Sequence, residues 1–393
     1  MDLGRRELLT GAATLSASVA TGAFAQALSP STPLQTSFKP GEIWLDTAGK
    51  PIQCHASSIL QLGDTYYWYG ENKEFTTGKT EIWTWGVRCY SSKDLYNWTD
   101  LGLIIQPDTQ DRKSPLHPAA GLDRPHILYN ASTKKFVCWI KILGDNKIQT
   151  RTVLTADRIT GPYTIVGQGI HPAGMSGGDF DLVASPDDGK AYMYFERVHT
   201  EMICADLTED YTNFTGYYST HMPRPGPPSV RESPAYFRRK GKHYLLTSGT
   251  TVYFPNPSEI AVADSFHGPF NLIGDPHPTD KSRTSFNTQI CSVFKHPKKK
   301  DLYIALGDRW MGPMTDPSFE SGEMSRLVQS AFTKVMSIPR QSMTPEEMKA
   351  AGPAFSGKVN TSQARYVWLP IKFDKDDRPT IEWRDQWSLD EFA

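Results

Sequence analysis

The chain has 393 residues, of which 22% are charged and 38% are hydrophobic, and its formal net charge is -1. This balance is typical of a globular protein and gives no electrostatic attraction to nucleic acid or to anionic membranes. Aromatic residues make up 11%, and 30 Gly with 29 Pro indicate frequent turns, so the composition favours a large all-β protein over a helical bundle.

Residues 1–27 have the features of an export signal. Arg5 and Arg6 precede a mildly apolar stretch, and two Ala-x-Ala cleavage sites follow at residues 23–25 and 25–27. The paired arginines are typical of a twin-arginine signal, and an ordinary secretory signal is the alternative. The sequence therefore predicts a periplasmic or secreted protein without a membrane span, because no stretch is apolar and long enough for one.

One pattern recurs after a Ser-, Pro- and Thr-rich linker over residues 28–40. A polar turn is followed five times by a short aromatic strand, and these strands contain Tyr66, Phe136, Tyr192, Tyr244 and Tyr303. Strand repeats with a spacing of roughly 50–70 residues are typical of propellers, in which each repeat forms one four-stranded blade. We therefore predict an all-β, five-bladed β-propeller over residues 41–393, with the five aromatic residues on equivalent strands.

The last repeat contains a long insertion over residues 311–363. We predict one helix within it, with Thr344 as N-cap, Pro345 in its first turn and Gly352 at its end. A long insertion on a propeller often forms a lid or one edge of a pocket.

Cysteine usage indicates neither a disulfide framework nor a metal site. The five cysteines are odd in number, widely spaced and without a Cys-x-x-Cys pair. We predict buried free thiols, with one disulfide as the alternative. Asp and His residues also lack metal-ligand spacing, so we predict no cofactor, although an ion in the axial channel of a propeller stays open.

Glu232 is the acidic residue that attracts most interest. It precedes Pro234 and an apolar run, at the start of a strand that should be buried. Burial favours the neutral acid and raises its pKa, which suits a general acid. The alternative is an ion pair with Arg231 or another arginine.

Eight short motifs follow one another from about Pro40 to the C-terminus: Ile52-Gln53-Cys54-His55, Tyr66 to Glu71, Asp123 to Ile127, Arg231 to Pro234, Ser248-Gly249-Thr250 with Asn256, Asn287-Thr288-Gln289, Gly307 to Trp310 and Arg365 to Pro370. In this order they resemble the motifs of the five-bladed family 43 glycoside hydrolases, and they are most similar to those of the exo-β-1,3-galactanase branch.

The resemblance implies an exo-acting, inverting glycoside hydrolase that releases a terminal galactose-type sugar. Glu232 matches the general acid, and Gln289 matches a glutamine that stands where most inverting glycosidases have a base. A neutral amide is not a base, so Gln289 would orient the water or act through an unusual tautomer. Asp123 matches an acidic residue, usually Glu, near the scissile bond, with a salt bridge to Arg124 as the alternative.

Further positions are expected to bind the sugar. The resemblance implies this role for Glu71, Thr250 and Asp179, with Asp181 as the alternative to Asp179. Two more candidates are His55, which could instead be a satisfied buried imidazole, and Trp310. A tryptophan can form a platform for a sugar, although in strands it more often packs.

Three departures from the branch concern the identity of the sugar. The chain has Cys54-His55-Ala56-Ser57 where the branch has Ala-His-Gly-Gly, Asp123 is one methylene short, and the tyrosine expected in the second blade is not evident in residues 141–147. The alternatives are a furanoside or pentose as the terminal sugar, or a non-catalytic carbohydrate-binding propeller. In each case we expect an oligo- or polysaccharide partner, no nucleic acid and a monomer.

Overall fold

The structure is a computed structural model that describes residues 33–144, 148–312, 314, 316–356 and 358–393. The predicted export signal lies outside the described residues, as do the first five residues of the predicted linker. Phe38 belongs to the fold rather than to the linker, because it is buried and pairs with Trp387 through two backbone hydrogen bonds. The folded domain therefore begins earlier than the predicted residue 41.

Within the described residues, twenty strands form five antiparallel sheets of four strands each. The strands of blades 1 and 2 are β1 (His55–Leu62), β2 (Thr65–Glu71), β3 (Val87–Ser92), β4 (Thr99–Ile105), β5 (Leu122–Asn130), β6 (Lys135–Ile142), β7 (Thr150–Ala156) and β8 (Thr164–Ile170). Those of blades 3 and 4 are β9 (Gly177–Ala184), β10 (Ala191–Arg197), β11 (Glu201–Leu207), β12 (Phe214–His221), β13 (Glu232–Arg239), β14 (Lys242–Ser248), β15 (Glu259–Ala263) and β16 (Asn271–Gly274). Blade 5 contains β17 (Gln289–Lys295), β18 (Tyr303–Arg309), β19 (Arg365–Phe373) and β20 (Pro379–Ile381).

The sheets are arranged as a closed ring. The first strand of each blade contacts the first strand of the next, and β17 of blade 5 contacts β1 of blade 1. Side chains cross these joints: Ser292 Oγ donates to the carbonyl oxygen of Ser57 at 2.8 Å, and Ser233 Oγ donates to that of Ile290 at 2.5 Å. The predicted five-bladed propeller is confirmed.

The recurring aromatic strand occupies the second position of every blade. Tyr66, Phe136, Tyr192, Tyr244 and Tyr303 lie on β2, β6, β10, β14 and β18 respectively, as predicted. All five are buried, because the second strand is covered on both faces by neighbouring blades. The repeat in the sequence therefore corresponds to the repeat in the fold.

The insertion lies between β18 and β19 and contains more helix than predicted. Its described residues form α1 (Pro317–Glu320), α2 (Glu323–Met336) and α3 (Pro345–Phe355). Helix α3 has the predicted Thr344 cap, strengthened by a capping box with Glu347, but it continues past Gly352. The insertion has an apolar cluster of its own, which it shares with Phe254 of blade 4.

All five cysteines are buried and unpaired, which confirms the predicted free thiols. None of the described helices has the length and hydropathy needed to cross a membrane.

Candidate active site

The predicted catalytic residues lie near the starts of the first strands, which meet at the axis of the ring. Asp123 is the second residue of β5, and Glu232 and Gln289 are the first residues of β13 and β17. A β-bulge interrupts the pairing of the first strand with the second within a few residues of each. Bulges re-aim side chains, so this shared irregularity directs all three residues toward the axis.

Backbone strain accompanies two of these bulges, in blades 2 and 4, and the corresponding bulge of blade 1. The residue that follows Asp123, Glu232 or His55 has a positive φ: 48° at Arg124, 49° at Ser233 and 43° at Ala56. Non-glycine residues rarely adopt this conformation, and such strain tends to be kept at functional sites. The same device therefore shapes the entrance of blades 1, 2 and 4.

The first strands surround a cavity of about 260 Å³. Seven of the eight predicted site residues line it, namely Glu71, Asp123, Asp179, Glu232, Thr250, Gln289 and Trp310. The cavity has two chemically different sides. The side formed by Glu71, Lys73, Asp123, Lys141 and Asp179 is called the charged wall, and the side formed by Glu232, Ser248, Gln289 and Trp310 is called the acid wall.

On the acid wall, Glu232 is a partly buried carboxyl group beside an amide. Its Oε1 accepts a hydrogen bond of 3.2 Å from Gln289 Nε2. Burial, reinforced by the negative charges of Asp179 and Glu196, raises the pKa of Glu232 well above its usual value. The predicted alternative, an ion pair with Arg231, is not formed, because Arg231 instead faces Thr247, Pro257 and Glu259. Glu232 is thus suited to hold a proton near neutral pH.

The amide of Gln289 has a defined orientation. Its Oε1 accepts from Arg124 Nη2 at 2.8 Å and from Trp310 Nε1 at 3.0 Å. Both partners can only donate, so the oxygen must face them and Nε2 must face Glu232 and Ser248. The amide therefore spans the acid wall and ties it to Arg124.

The charged wall is built from a cation between two carboxylates. Lys141 Nζ lies 2.8 Å from Asp123 Oδ2 and 2.7 Å from Asp179 Oδ1. Burial alone would raise the pKa of Asp179, but Arg124 and Lys141 outweigh it and hold that pKa well below its usual value. The pKa of Asp123 is also lowered, since Lys141 and Lys73 outweigh the effect of burial.

Of the two aspartates considered on β9, Asp179 is the one that lines the cavity. Asp181 points away and accepts from the backbone N–H of Tyr236 at 2.7 Å and of Leu182 at 2.8 Å. Burial raises the pKa of Asp181 to about 7. Asp181 thus has a structural role at the joint between blades 3 and 4.

Glu71 completes the charged wall. Its Oε1 accepts from the backbone N–H of Arg124 at 2.8 Å, and its Oε2 lies 2.5 Å from Lys73 Nζ. Burial, with some contribution from Asp123 and opposed by Lys73, raises the pKa of Glu71 to about 7. Glu71 can therefore exchange a proton near neutral pH.

His55 does not line the cavity, and this corrects the expectation that it contacts the sugar. Its side chain has 0% exposure, with Nδ1 2.8 Å from Asp308 Oδ1 and Nε2 3.2 Å from the hydroxyl of Tyr366. Asp308 also accepts from the backbone N–H of Ala56 at 2.7 Å. His55 is the satisfied buried imidazole that was considered as the alternative. Its ring packs next to Trp310, with the two ring centroids 5.8 Å apart.

Several lining residues were not predicted: Lys73, Trp83, Lys141, His199 and Tyr253. Trp83 Nε1 donates to Asp123 Oδ1 at 2.5 Å, and Tyr253 lies between the rings of Trp83 and Trp310, 6.0 and 5.7 Å from them. Trp83 and Tyr253 lie in loops, where no strand pattern indicates which way a side chain points. Lys141 lies in residues 141–147, the segment in which the tyrosine expected from the branch is not evident. This missing tyrosine was the one signal in the sequence that the lining of the cavity differs there.

A larger cavity of about 660 Å³ lies between residues 225–229 and α2, but none of the predicted site residues lines it. Its carboxylate, Glu259, is paired with Arg224 at 2.9 Å and Arg231 at 3.5 Å. This cavity thus offers no free acid. Among the described residues, no group of three or more His, Cys, Asp or Glu side chains could hold a metal ion.

A propeller that brings an acid, an amide and several carboxylates together in one axial cavity has the kinds of group that a glycoside hydrolase requires. The sequence profile of the Glycosyl hydrolases family 43 matches residues 50–317, so the chain belongs to this family. The match covers blades 1 to 4, the first two strands of blade 5 and the start of the insertion.

Solved structures with the same fold include β-1,3-galactosidases and an exo-β-1,3-galactanase. A family 43 β-1,3-galactosidase is 27% identical with a TM-score of 0.70, over 91% of this chain and 65% of that one. A second β-1,3-galactosidase, with bound galactodeoxynojirimycin, is 24% identical with a TM-score of 0.69, over 90% of this chain and 100% of that one. An exo-β-1,3-galactanase from Phanerochaete chrysosporium, with β-1,3-galactotriose, is 24% identical with a TM-score of 0.68, over 90% and 68%. No curated protein sequence matches the chain significantly.

Proposed function

We propose that the chain is an exo-acting, inverting glycoside hydrolase that releases a terminal galactose from a β-1,3-linked galactan or galactooligosaccharide. The observation that carries this proposal is Glu232, a carboxyl group with a raised pKa beside the amide of Gln289, in a cavity at the axis of the ring. The galactose-specific enzymes with this fold support the choice of sugar.

In the proposed reaction, Glu232 donates its proton to the glycosidic oxygen as the bond to the anomeric carbon breaks. A water molecule attacks that carbon from the opposite face, which inverts its configuration. Gln289 orients the water as an amide, since the tautomer with a protonated oxygen would meet two donors, Arg124 and Trp310. The water loses its proton to the charged wall. Glu71 is the proposed proton acceptor, because its pKa of about 7 suits proton transfer near neutral pH better than the lowered pKa of Asp123.

A non-catalytic carbohydrate-binding propeller is the second candidate, because a glutamine also stands at this position when a base has been lost. The environment of Glu232 favours the enzyme, since a binding protein has no need of a buried acid that keeps its proton.

The test is hydrolysis of β-1,3-galactobiose and β-1,3-galactotriose followed by ¹H NMR. We expect single galactose units from the non-reducing end, with α-galactose as the first anomer. Initial release of β-galactose would contradict inversion, and release from aryl arabinosides or furanosides alone would favour a different terminal sugar. Binding of the oligosaccharides without any turnover would favour the second candidate.

We also propose that the protein is exported and acts in the periplasm or outside the cell, on the basis of Arg5, Arg6 and the Ala-x-Ala sites. That it acts as a monomer is a separate proposal. Mature protein from the cell envelope should begin after residue 25 or 27. The chain without residues 1–27 should fold and stay in the cytoplasm, and misfolding would contradict the signal assignment.

A further inference from the structure

Lys141 occupies an unusual position for a lysine. It lies on β6 of blade 2 with only 6% exposure, in register with Asp123 of β5. Its ammonium group contacts both Asp123 and Asp179, which belong to blades 2 and 3, at 2.8 and 2.7 Å. A buried lysine is costly unless its charge is paired, and here one cation is shared by two anions.

The two carboxylates connect to the rest of the site through one further partner each. Asp123 accepts from Trp83 Nε1 at 2.5 Å, and Asp179 Oδ2 lies 2.8 Å from Arg124 Nη2. The same nitrogen of Arg124 donates to Gln289 Oε1 at 2.8 Å. Lys141 is therefore the middle of a chain of polar contacts that runs from Trp83 to the amide beside Glu232.

We propose that Lys141 is a positioning residue for the reaction, which fixes the spacing of Asp123 and Asp179 and, through Arg124, the orientation of Gln289. This proposal rests on the proposed function, because it gives these carboxylates the task of binding the sugar. Lys141 itself contacts two carboxylate oxygens and acts through them.

Removal of this cation leaves two anions facing each other in a partly closed cavity. Arg124 then remains as the cation paired with Asp179, and Lys73 still lowers the pKa of Asp123. The other charged or titratable groups that interact with Lys141 or with this pair of aspartates include Arg151, Glu71, Glu232 and His199. Asp123 loses its main source of ionic stabilisation, and Asp179 loses the second of its two cations while keeping Arg124, so protonation becomes easier and the two side chains move apart.

The experiment compares Lys141→Met, Lys141→Arg and, as control, Lys135→Met. Lys135 lies on the same strand but forms an exposed pair with Asp157 at 2.6 Å. We expect kcat/KM of Lys141→Met on an aryl β-galactoside to fall by up to about 10², the cost of misplacing reacting groups by about 1 Å. The acidic limb of its pH profile should move to higher pH, Lys141→Arg should restore much of both, and Lys135→Met should match the wild type.

A second readout does not require activity. ¹³C NMR titration of the aspartate carboxyl groups should show higher pKa values for two of them in Lys141→Met than in the wild type. If Lys141→Met does not fold, Lys141→Gln takes its place in both measurements.

Unchanged carboxyl titration and an unchanged pH profile would overturn the proposal. So would a loss of activity that follows a lowered Tm, without a shifted profile and without rescue by arginine. If the wild type hydrolyses no galactoside, the proposed function fails, whereas the NMR titration still decides whether Lys141 holds the two carboxylates.

Discussion

The two walls of the cavity use different physical means to prepare their side chains. On the charged wall, cations compensate buried carboxylates, so the pKa values of Asp123 and Asp179 are lowered. On the acid wall, Glu232 contacts the uncharged amide of Gln289, and the pKa of Glu232 is raised. The pKa values of carboxyl groups in one cavity are thus shifted in opposite directions, which is how a glycosidase separates an acid from its ionised groups.

Arg124 joins the two walls. It contacts Asp179 on one side and Gln289 on the other, and its backbone N–H donates to Glu71. Its Nη1 is buried without a hydrogen-bond partner among the described residues. A buried donor without a partner is costly, so we interpret Nη1 as a group that a substrate hydroxyl would satisfy.

The largest expected effect is the loss of the proton on the acid wall. Glu232→Gln preserves the shape of the side chain, so binding should survive. Turnover of β-1,3-galactobiose, a substrate with a poor leaving group, should fall by about 10²–10⁴, the usual contribution of general acid catalysis. An activated aryl galactoside departs with little help, and its loss should be smaller.

Steady-state kinetics on both substrates test this, with the surface variant Glu382→Gln as control. Glu382 lies outside the cavity in an exposed pair with Lys372. Equal losses on both substrates, or an unchanged rate on galactobiose, would contradict the assignment of Glu232 as the acid.

Gln289→Ala should affect the two substrates alike, because attack by water is common to both. The change removes four hydrogen bonds, to Glu232, Ser248, Arg124 and Trp310. We expect a fall in kcat of about 10², the cost of misplacing a reacting group by about 1 Å. A large loss on galactobiose alone would show that Gln289 serves Glu232 rather than the water.

The sequence predicted much of this fold because its signal repeats. In each blade a turn leads into an aromatic second strand, so five weak observations support one interpretation. The predicted site residues lie near the starts of first strands or the ends of second strands. By contrast, α2 occurs once. Its apolar residues Met324, Val328, Ala331 and Phe332 have helical spacing, and this signal was present but missed.

The partners of the site residues could not be predicted, because they come from other blades. Lys141 faces Asp123 within one hairpin, but its contact with Asp179 depends on how blades 2 and 3 are packed. His55 lies at a strand start like Asp123 and Glu232, yet Asp308 of blade 5 holds it below the cavity. Strand periodicity indicates which face a residue lies on and does not indicate which residue of a distant blade it meets.

The difference between the walls should also appear in the pH dependence. The reaction requires Glu232 with its proton, so kcat/KM on galactobiose should fall about tenfold per pH unit above the raised pKa of this group. Asp123 and Asp179 have lowered pKa values and stay ionised on that side of the profile. The alkaline limb should be absent from the profile of Glu232→Gln, and its persistence there would assign the limb to another group.

A matched pair of tryptophans, one on each side of the cavity, offers the last comparison, and of the two Trp310 should give the smallest effect. Trp83 Nε1 donates to the ionised Asp123, whereas Trp310 Nε1 donates to the neutral amide of Gln289. Substitution by phenylalanine keeps an aromatic ring and removes the donor. A hydrogen bond to a charged group contributes about 1.5–3 kcal/mol and one between neutral groups about 0.5–1.5 kcal/mol. We therefore expect kcat/KM to fall by roughly 10- to 150-fold in Trp83→Phe and by roughly 2- to 10-fold in Trp310→Phe.

Kinetics of the two variants on one aryl β-galactoside check this order, with Trp383→Phe as control, since its indole donates to the exposed Asp385. An equal loss in Trp83→Phe and Trp310→Phe would mean that Asp123 is no more sensitive to a lost donor than Gln289. Because a neutral carboxyl group would behave in this way, that result would contradict the ionised state of Asp123 and with it the distinction between the two walls.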